Sequence, residues 1–164
     1  MNTGQTILTM GALILFSTIM VTMNTSYQTS GELVIQSELG ITASSLATSL
    51  IEEATSRAFD KSTDTAIATS LSSLTMPSNL GPENGEAYPR FNDFDDYHNL
   101  TLTQNVEKSG VFTLTANIVY VGFTAPDVPA ASPTWHKKIN VRVTSPTMID
   151  TITMDYVFSY WYFR

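Results

Sequence analysis

The amino-acid sequence predicts an α+β fold. One long N-terminal α-helix, apolar in its first half, packs at its C-terminal half on an antiparallel four-stranded β-sheet head. Three observations lead there. No acidic or basic residue occurs between Met1 and Gly31. Apolar residues then continue at helical spacing to about Phe59. From Leu100 onward the hydrophobic period changes to two.

The composition sets the frame for these elements. A chain of 164 residues is one domain, or one domain with a long appendage. Apolar residues make up 43%, enough for a core, but only 14% are charged, which suits an extracellular or assembled protein. A net charge of -7 argues against nucleic acid as a partner, because phosphate binding needs a basic surface. There is no cysteine, so stability rests on packing and assembly rather than on disulfides or thiolate metal sites.

The apolar run Ile7 to Met23 gives about 26 Å of helix, the short edge of a membrane span. Thr9, Ser17, Thr18 and Thr22 dilute it, yet a helical hydroxyl can bond its own backbone. A cleaved signal peptide needs a basic start and a small-x-small junction, and the sequence around this run offers neither. A single-pass anchor accounts for the run equally well. What an anchor leaves unexplained is the continuation: Ile35, Leu39, Ala43, Leu46, Leu50 and Ala54 form one helical stripe, with no flexible polar stalk before it. An unbroken helix from Thr3 to Phe59 would be about 85 Å long. Its first half must then be covered by lipid or by copies of itself. Gly31 and Gly40 mark points where it would bend or unwind, while Gly4 and Gly11 share a face that permits close backbone approach.

This layout of apolar helix, amphipathic continuation and sheet-forming head resembles a type IV pilin or pseudopilin. The resemblance covers the whole architecture and implies a filament subunit that polymerises through its N-terminal helix. Gly4, Gln5, Ile7, Leu8, Gly11, Leu13, Ile14, Leu15, Phe16, Ile19, Met20 and Met23 would be the assembly residues. It further implies inner-membrane anchoring before assembly, a pilus assembly machinery as partner, and a final place in a cell-surface filament. Family members usually carry a Glu at the fifth mature position; with Met1 as first residue, that position holds Gln5, which cannot neutralise an amine. With Met1 as initiator, Gly4-Gln5 resembles a leader-peptidase junction. The alternative is a membrane-anchored extracytoplasmic binding or scaffold protein, or a minor pseudopilin of a secretion system.

Four segments follow from this reading: an apolar helix over 1–31, its amphipathic continuation over 32–59, a connector over 60–99 and the β head over 100–164. In the connector, Ala66, Ile67, Leu71 and Leu74 allow a short second helix capped by Asp64. Pro77 to Pro89 reads as turn-rich linker. In the head, Leu100 and Leu102 alternate with threonines. Phe112, Leu114, Ala116, Ile118 and Tyr120 share one side, as do Ile139, Val141 and Val143. The last strand puts Ile152, Met154, Tyr156, Phe158, Tyr160 and Tyr162 on one side. Lys108-Ser109-Gly110 and Ser145-Pro146 supply turns, and Gly122 to Lys138, with three prolines, reads either as a plain exposed connector or as a loop that meets a partner, its Trp135 a contact residue or tucked over a sheet edge.

The densest polar cluster, Asn92-Asp93-Phe94-Asp95-Asp96-Tyr97, has two readings. Asp93, Asp95 and Asp96 could ligate calcium through oxygen, or they form a solvated turn capping backbone N–H groups. The EF-hand spacing is missing. Phe91, Phe94 and Tyr97, three apart, suggest one tight helical turn held to the core. Asn24 and Asn99 match the glycosylation sequon, and Asn99, near a loop, is the better acceptor. No catalytic motif appears, and the two histidines, His98 and His136, lie in different segments, so an enzyme is not expected.

Overall fold

A computed structural model describes residues 2–160 of the chain. It divides into two compact units, Met1–Leu39 and Gly40–Arg164. One helix, α1 (Thr3–Thr55), supplies the whole of the first and the opening of the second. It is α-helical without interruption through Gly31 and Gly40, where the sequence suggested a bend or unwinding.

In the first unit the threonines of the helix turn inward on their own backbone. Thr6, Thr9, Thr18, Thr22, Thr25 and Thr29 each donate a hydroxyl proton to a carbonyl three or four residues back, at 2.8–3.0 Å. These bonds satisfy polar groups that would otherwise be costly in an apolar setting.

In the second unit the helix is buried along one stripe: Ala43, Ala47, Leu50, Ile51 and Ala54 are inside. Three of these five are alanines, small enough to be enclosed completely. A small cavity is shared by Leu46, Ser49, Leu50 and Glu53 of the helix with Leu102, Gln104 and Leu114 of the sheet. Ile35, the first residue of the stripe read from the sequence, stays exposed, and burial begins at Leu39. The helix ends at Thr55, short of Phe59. The chain is drawn aside there into a bridge with the acidic turn: Phe94 N–H donates to Ala58 O at 2.8 Å and Ala58 N–H to Asn92 O at 3.3 Å.

The connector opens with α2 (Lys61–Thr65), capped by Asp60, not by Asp64. Asp60 and Thr63 make the reciprocal bonds of a capping box. Single 3-10 turns follow at Leu71–Ser73, Pro77–Asn79 and Asp95–Tyr97.

The sheet has five strands where four were expected. β1 (Leu100–Val106), β2 (Gly110–Gly122), β4 (His136–Thr144) and β5 (Ile152–Ser159) lie in the order β1-β2-β4-β5, all antiparallel. The fifth, β3 (Ala125–Pro129), pairs with the end of β2, inside the segment read as a plain connector. Pro126 and Pro129 hid it, since proline suggests a loop but is tolerated where the N–H faces no partner. Register aligns Leu102 with Leu114, Ile118 with Ile139 and Val141 with Met154. One face carries the core, namely Phe112, Leu114, Ala116, Ile118, Tyr120, Ile139, Val141, Val143 and Phe158. Asn117 and Arg142, of opposite phase, are exposed on the other face. The tight turn between β1 and β2 needs left-handed backbone at Lys108 (φ 71°) and Gly110 (φ 97°). Tyr162, assigned by alternation to the last strand, lies outside the described residues, as does Met1.

Candidate functional site

Two regions carry features beyond folding. The first is the N-terminal stretch of α1. Ile7, Leu8, Leu13, Ile14, Leu15, Phe16, Ile19, Met20 and Met23 are each about half or more exposed, from 49% at Met23 to 76% at Leu8. Because 13 to 16 are consecutive, they cover the full circumference of the helix, and a helix apolar all round belongs in a larger protein interior or a membrane. By length and composition it could cross a membrane, and none of its apolar window is buried. A Cβ added at Gly4 or Gly11 would meet nothing within 4 Å. Nothing among the described residues of the chain therefore requires glycine there. Gln5 sits in the first turn, exposed.

The second region is a polar centre under the sheet. Lys137, in β4, is completely buried and in phase with Ile139, Val141 and Val143. Its ammonium donates to Phe59 O (2.8 Å), Asp60 Oδ2 (2.9 Å) and Asp95 Oδ1 (2.5 Å). The rings of Phe59 and Tyr120 lie 4.6 and 5.2 Å from Nζ. Asp60 also accepts from Thr75 N–H, Ser62 N–H and the Tyr120 hydroxyl. Burial works to raise the Asp60 pKa, but the Lys137 charge and these hydrogen bonds together bring it below the usual carboxylate range. Asp95 has fewer donors, and burial carries it upward despite Lys137. Burial next to Asp60 and Asp95 raises the Tyr120 phenol far above its ordinary value, so it stays a donor.

Beside this centre lies a carboxylate group whose cation, Lys61, is exposed at its rim, 3.1 Å from Glu83. Ligand oxygens of Glu83, Glu86 and Asp96 lie within 4.8 Å of one another. Asp96 Oδ2 accepts from the N–H groups of Asn92 (3.0 Å) and Asp93 (3.2 Å), and Glu86 accepts from Asn92 Nδ2 (2.6 Å) and Glu83 N–H (3.1 Å). Burial drives the carboxyls of Asp96 and Glu83 upward, and burial with Asp95 and Asp96 alongside pushes Asp93 up to about 8. The three aspartates read from the sequence are thus divided. Asp95 turns to Lys137, Asp96 turns to Glu83 and Glu86, and Asp93 Oδ1 accepts from Asp96 N–H at 3.2 Å. Phe91, Phe94 and Tyr97 anchor the turn, all buried, with Tyr97 donating to Glu53 Oε1 at 2.9 Å.

Lys137 escaped the sequence reading, though its signal was present: a lysine on the apolar phase of a strand must find a buried partner. Asn99 is exposed with φ 59°, just before β1. His98 Nδ1 accepts from Ile118 N–H at 3.1 Å, and His136 Nδ1 lies 2.7 Å from Ser159 Oγ, so the two imidazoles serve different strands. Trp135 stacks on Tyr160 at 5.3 Å, tucked over the sheet end.

The chain is an α+β protein whose long apolar N-terminal helix leads into an antiparallel sheet, an arrangement compatible with a pilin-like fold. Compared with known proteins, it matches no family model, no curated protein and no solved structure.

Proposed function

We propose that this chain is the structural subunit of an extracellular filament of the type IV pilus kind, polymerising through the N-terminal part of α1. The observation that carries this reading is a helix apolar on every side, exposed over Ile7 to Met23, that runs without a break or linker into a folded unit. Removing that surface from water at roughly 25 cal/mol per Å2 would drive polymer stability. The absence of charge from Asn2 to Gly31 suits a dry bundle, where an unpaired charge would be costly. Gly4 and Gly11, unconstrained within the subunit, would admit a neighbouring helix. Before assembly the same segment would wait in the membrane, to be extracted by an assembly machinery. Calcium aside, no cofactor and no catalytic role belong to this reading.

The second reading, a membrane-anchored monomer or minor pseudopilin, is favoured by the same helix being long and apolar enough to span a bilayer. Electron microscopy of material sheared from expressing cells, with the subunit identified by mass spectrometry, separates the two. Uniform fibres built of this chain are expected. A clean sheared fraction with the protein in the membrane pellet would overturn the polymer.

A further inference from the structure

We infer that Glu83, Glu86 and Asp96 form a calcium site that clamps the Gly81–Arg90 excursion onto the buried acidic turn. The inference stands independently of polymerisation and applies equally to an anchored monomer.

Three features argue for a bound cation here over a self-contained hydrogen-bond network. The first is convergence, with one oxygen from each residue inside a 4.8 Å circle. Second, the donors that hold these groups are spent elsewhere. Backbone N–H groups fix Asp96 Oδ2, leaving Oδ1 buried without a partner on a side chain that is fully enclosed. Glu83 is held through Oε1 by Lys61 at 3.1 Å, and its Oε2 is likewise buried and unpartnered. Asn92 Oδ1, in the same turn, is one more buried acceptor without a donor. Ionised carboxylates are acceptors only, so they cannot satisfy one another. Third is the charge balance. Lys61 offers one positive charge from an exposed position against three carboxylates.

The ligand chemistry selects the ion. All donors are oxygen, with no sulfur or imidazole, which suits a hard cation. They come from an irregular loop and a 3-10 turn, with carboxylates able to bind through one oxygen or two. Calcium takes six to eight oxygens in such loose geometry, whereas magnesium demands a near-ideal octahedron and keeps its water. The geometry differs from the sequence reading in its members. Glu83 and Glu86 replace Asp93 and Asp95, because Lys137 holds Asp95.

The test uses the full chain in detergent, stripped with EDTA and titrated with calcium chloride by calorimetry to about 10 mM, beyond the weak end of extracellular calcium modules. A saturable one-to-one heat is expected, with the melting temperature about 5 °C higher in calcium than in EDTA. Magnesium at equal concentration should give a distinctly smaller shift. Glu83→Gln, at the rim and away from the core, should weaken calcium at least tenfold, roughly the scale of losing even an outer partner. Lys61→Met removes a competing charge and should strengthen binding about two- to fivefold. Equal melting temperatures with no saturable heat would overturn the site. So would a calcium shift unaffected by Glu83→Gln, and an equal response to magnesium would overturn the choice of ion.

Discussion

Replacing Lys137 by Met tests whether one buried cation holds the connector to the sheet. The ammonium is fully enclosed and gives its three protons to Phe59 O, Asp60 and Asp95. Methionine keeps most of the volume and the contact with the Phe59 and Tyr120 rings, so packing loss is small. What remains is a carbonyl without a donor and two buried carboxylates without their counter-charge. Breaking a buried pair from one side costs about 3–5 kcal/mol. For a folded unit of roughly 125 residues, unfolding entropy is near 0.26 kcal/mol/K, so the melting temperature should fall by about 10–20 °C. Near-ultraviolet circular dichroism is the suitable readout, because the Trp135–Tyr160 stack and the Phe94–Phe158 pair report the sheet unit and are blind to the exposed helix. The Asp95 carboxylate has Lys137 as its hydrogen-bond donor, so adding Asp95→Leu removes one of the stranded charges. The double variant should recover a third to a half of the loss, read from the double-mutant cycle. A Lys137→Met protein melting within about 3 °C of the parent would refute the reasoning, since no enclosed, charge-paired lysine could be removed so cheaply.

Other outcomes follow from neighbouring features. Leu13→Asp or Gly11→Leu should abolish fibres while the melting temperature changes by less than about 2 °C, because Leu13 is exposed and a Cβ at Gly11 meets nothing within 4 Å. Tyr97→Phe, losing a 2.9 Å bond to Glu53, should cost about 1.5 kcal/mol in denaturant unfolding; Tyr88→Phe, at 3.2 Å and more exposed, should cost under about 0.5 kcal/mol. Asp60 has a folded pKa below its ordinary 3.8, so its stabilisation is complete above that pH and disappears as pH falls below it. The melting gap between the parent and Asp60→Asn should therefore be flat from pH 5 upward, and narrow progressively as the pH falls below 3.8. Ala47→Leu, at a fully buried helix position, should destabilise the fold by overpacking, by about 1–3 kcal/mol, measured by the same denaturant titration.

How much of this fold could be read from the chain depends on whether the deciding contact was local. The helix to Thr55 and the four long strands follow from spacing, because burial of one face writes a period into neighbouring residues. The helix end did not, since it is set by the bridge from Ala58 to Asp93, a contact invisible at short range. Asp60 outcompeted Asp64 as a cap because its side chain is also fixed by Thr75 and Lys137. β3 carries two prolines and no buried residue, so neither period nor propensity marks it. The acidic turn was conspicuous as a cluster, but its division between Lys137 and the two glutamates depends on strand β4 and on the loop before it. One clue was missed outright: Lys137 sits in the apolar phase of an otherwise alternating strand.

The Lys137 contacts also set an order in time. Asp60 precedes its cation by 77 residues and Asp95 by 42. A chain growing from its N-terminus completes α1 and the entire connector before the residue that fastens them exists. Without β4, Phe59 O, Asp60 and Asp95 lack the one ammonium they share, so a chain truncated before Lys137 should be cut by protease along 60–99 faster than the full chain.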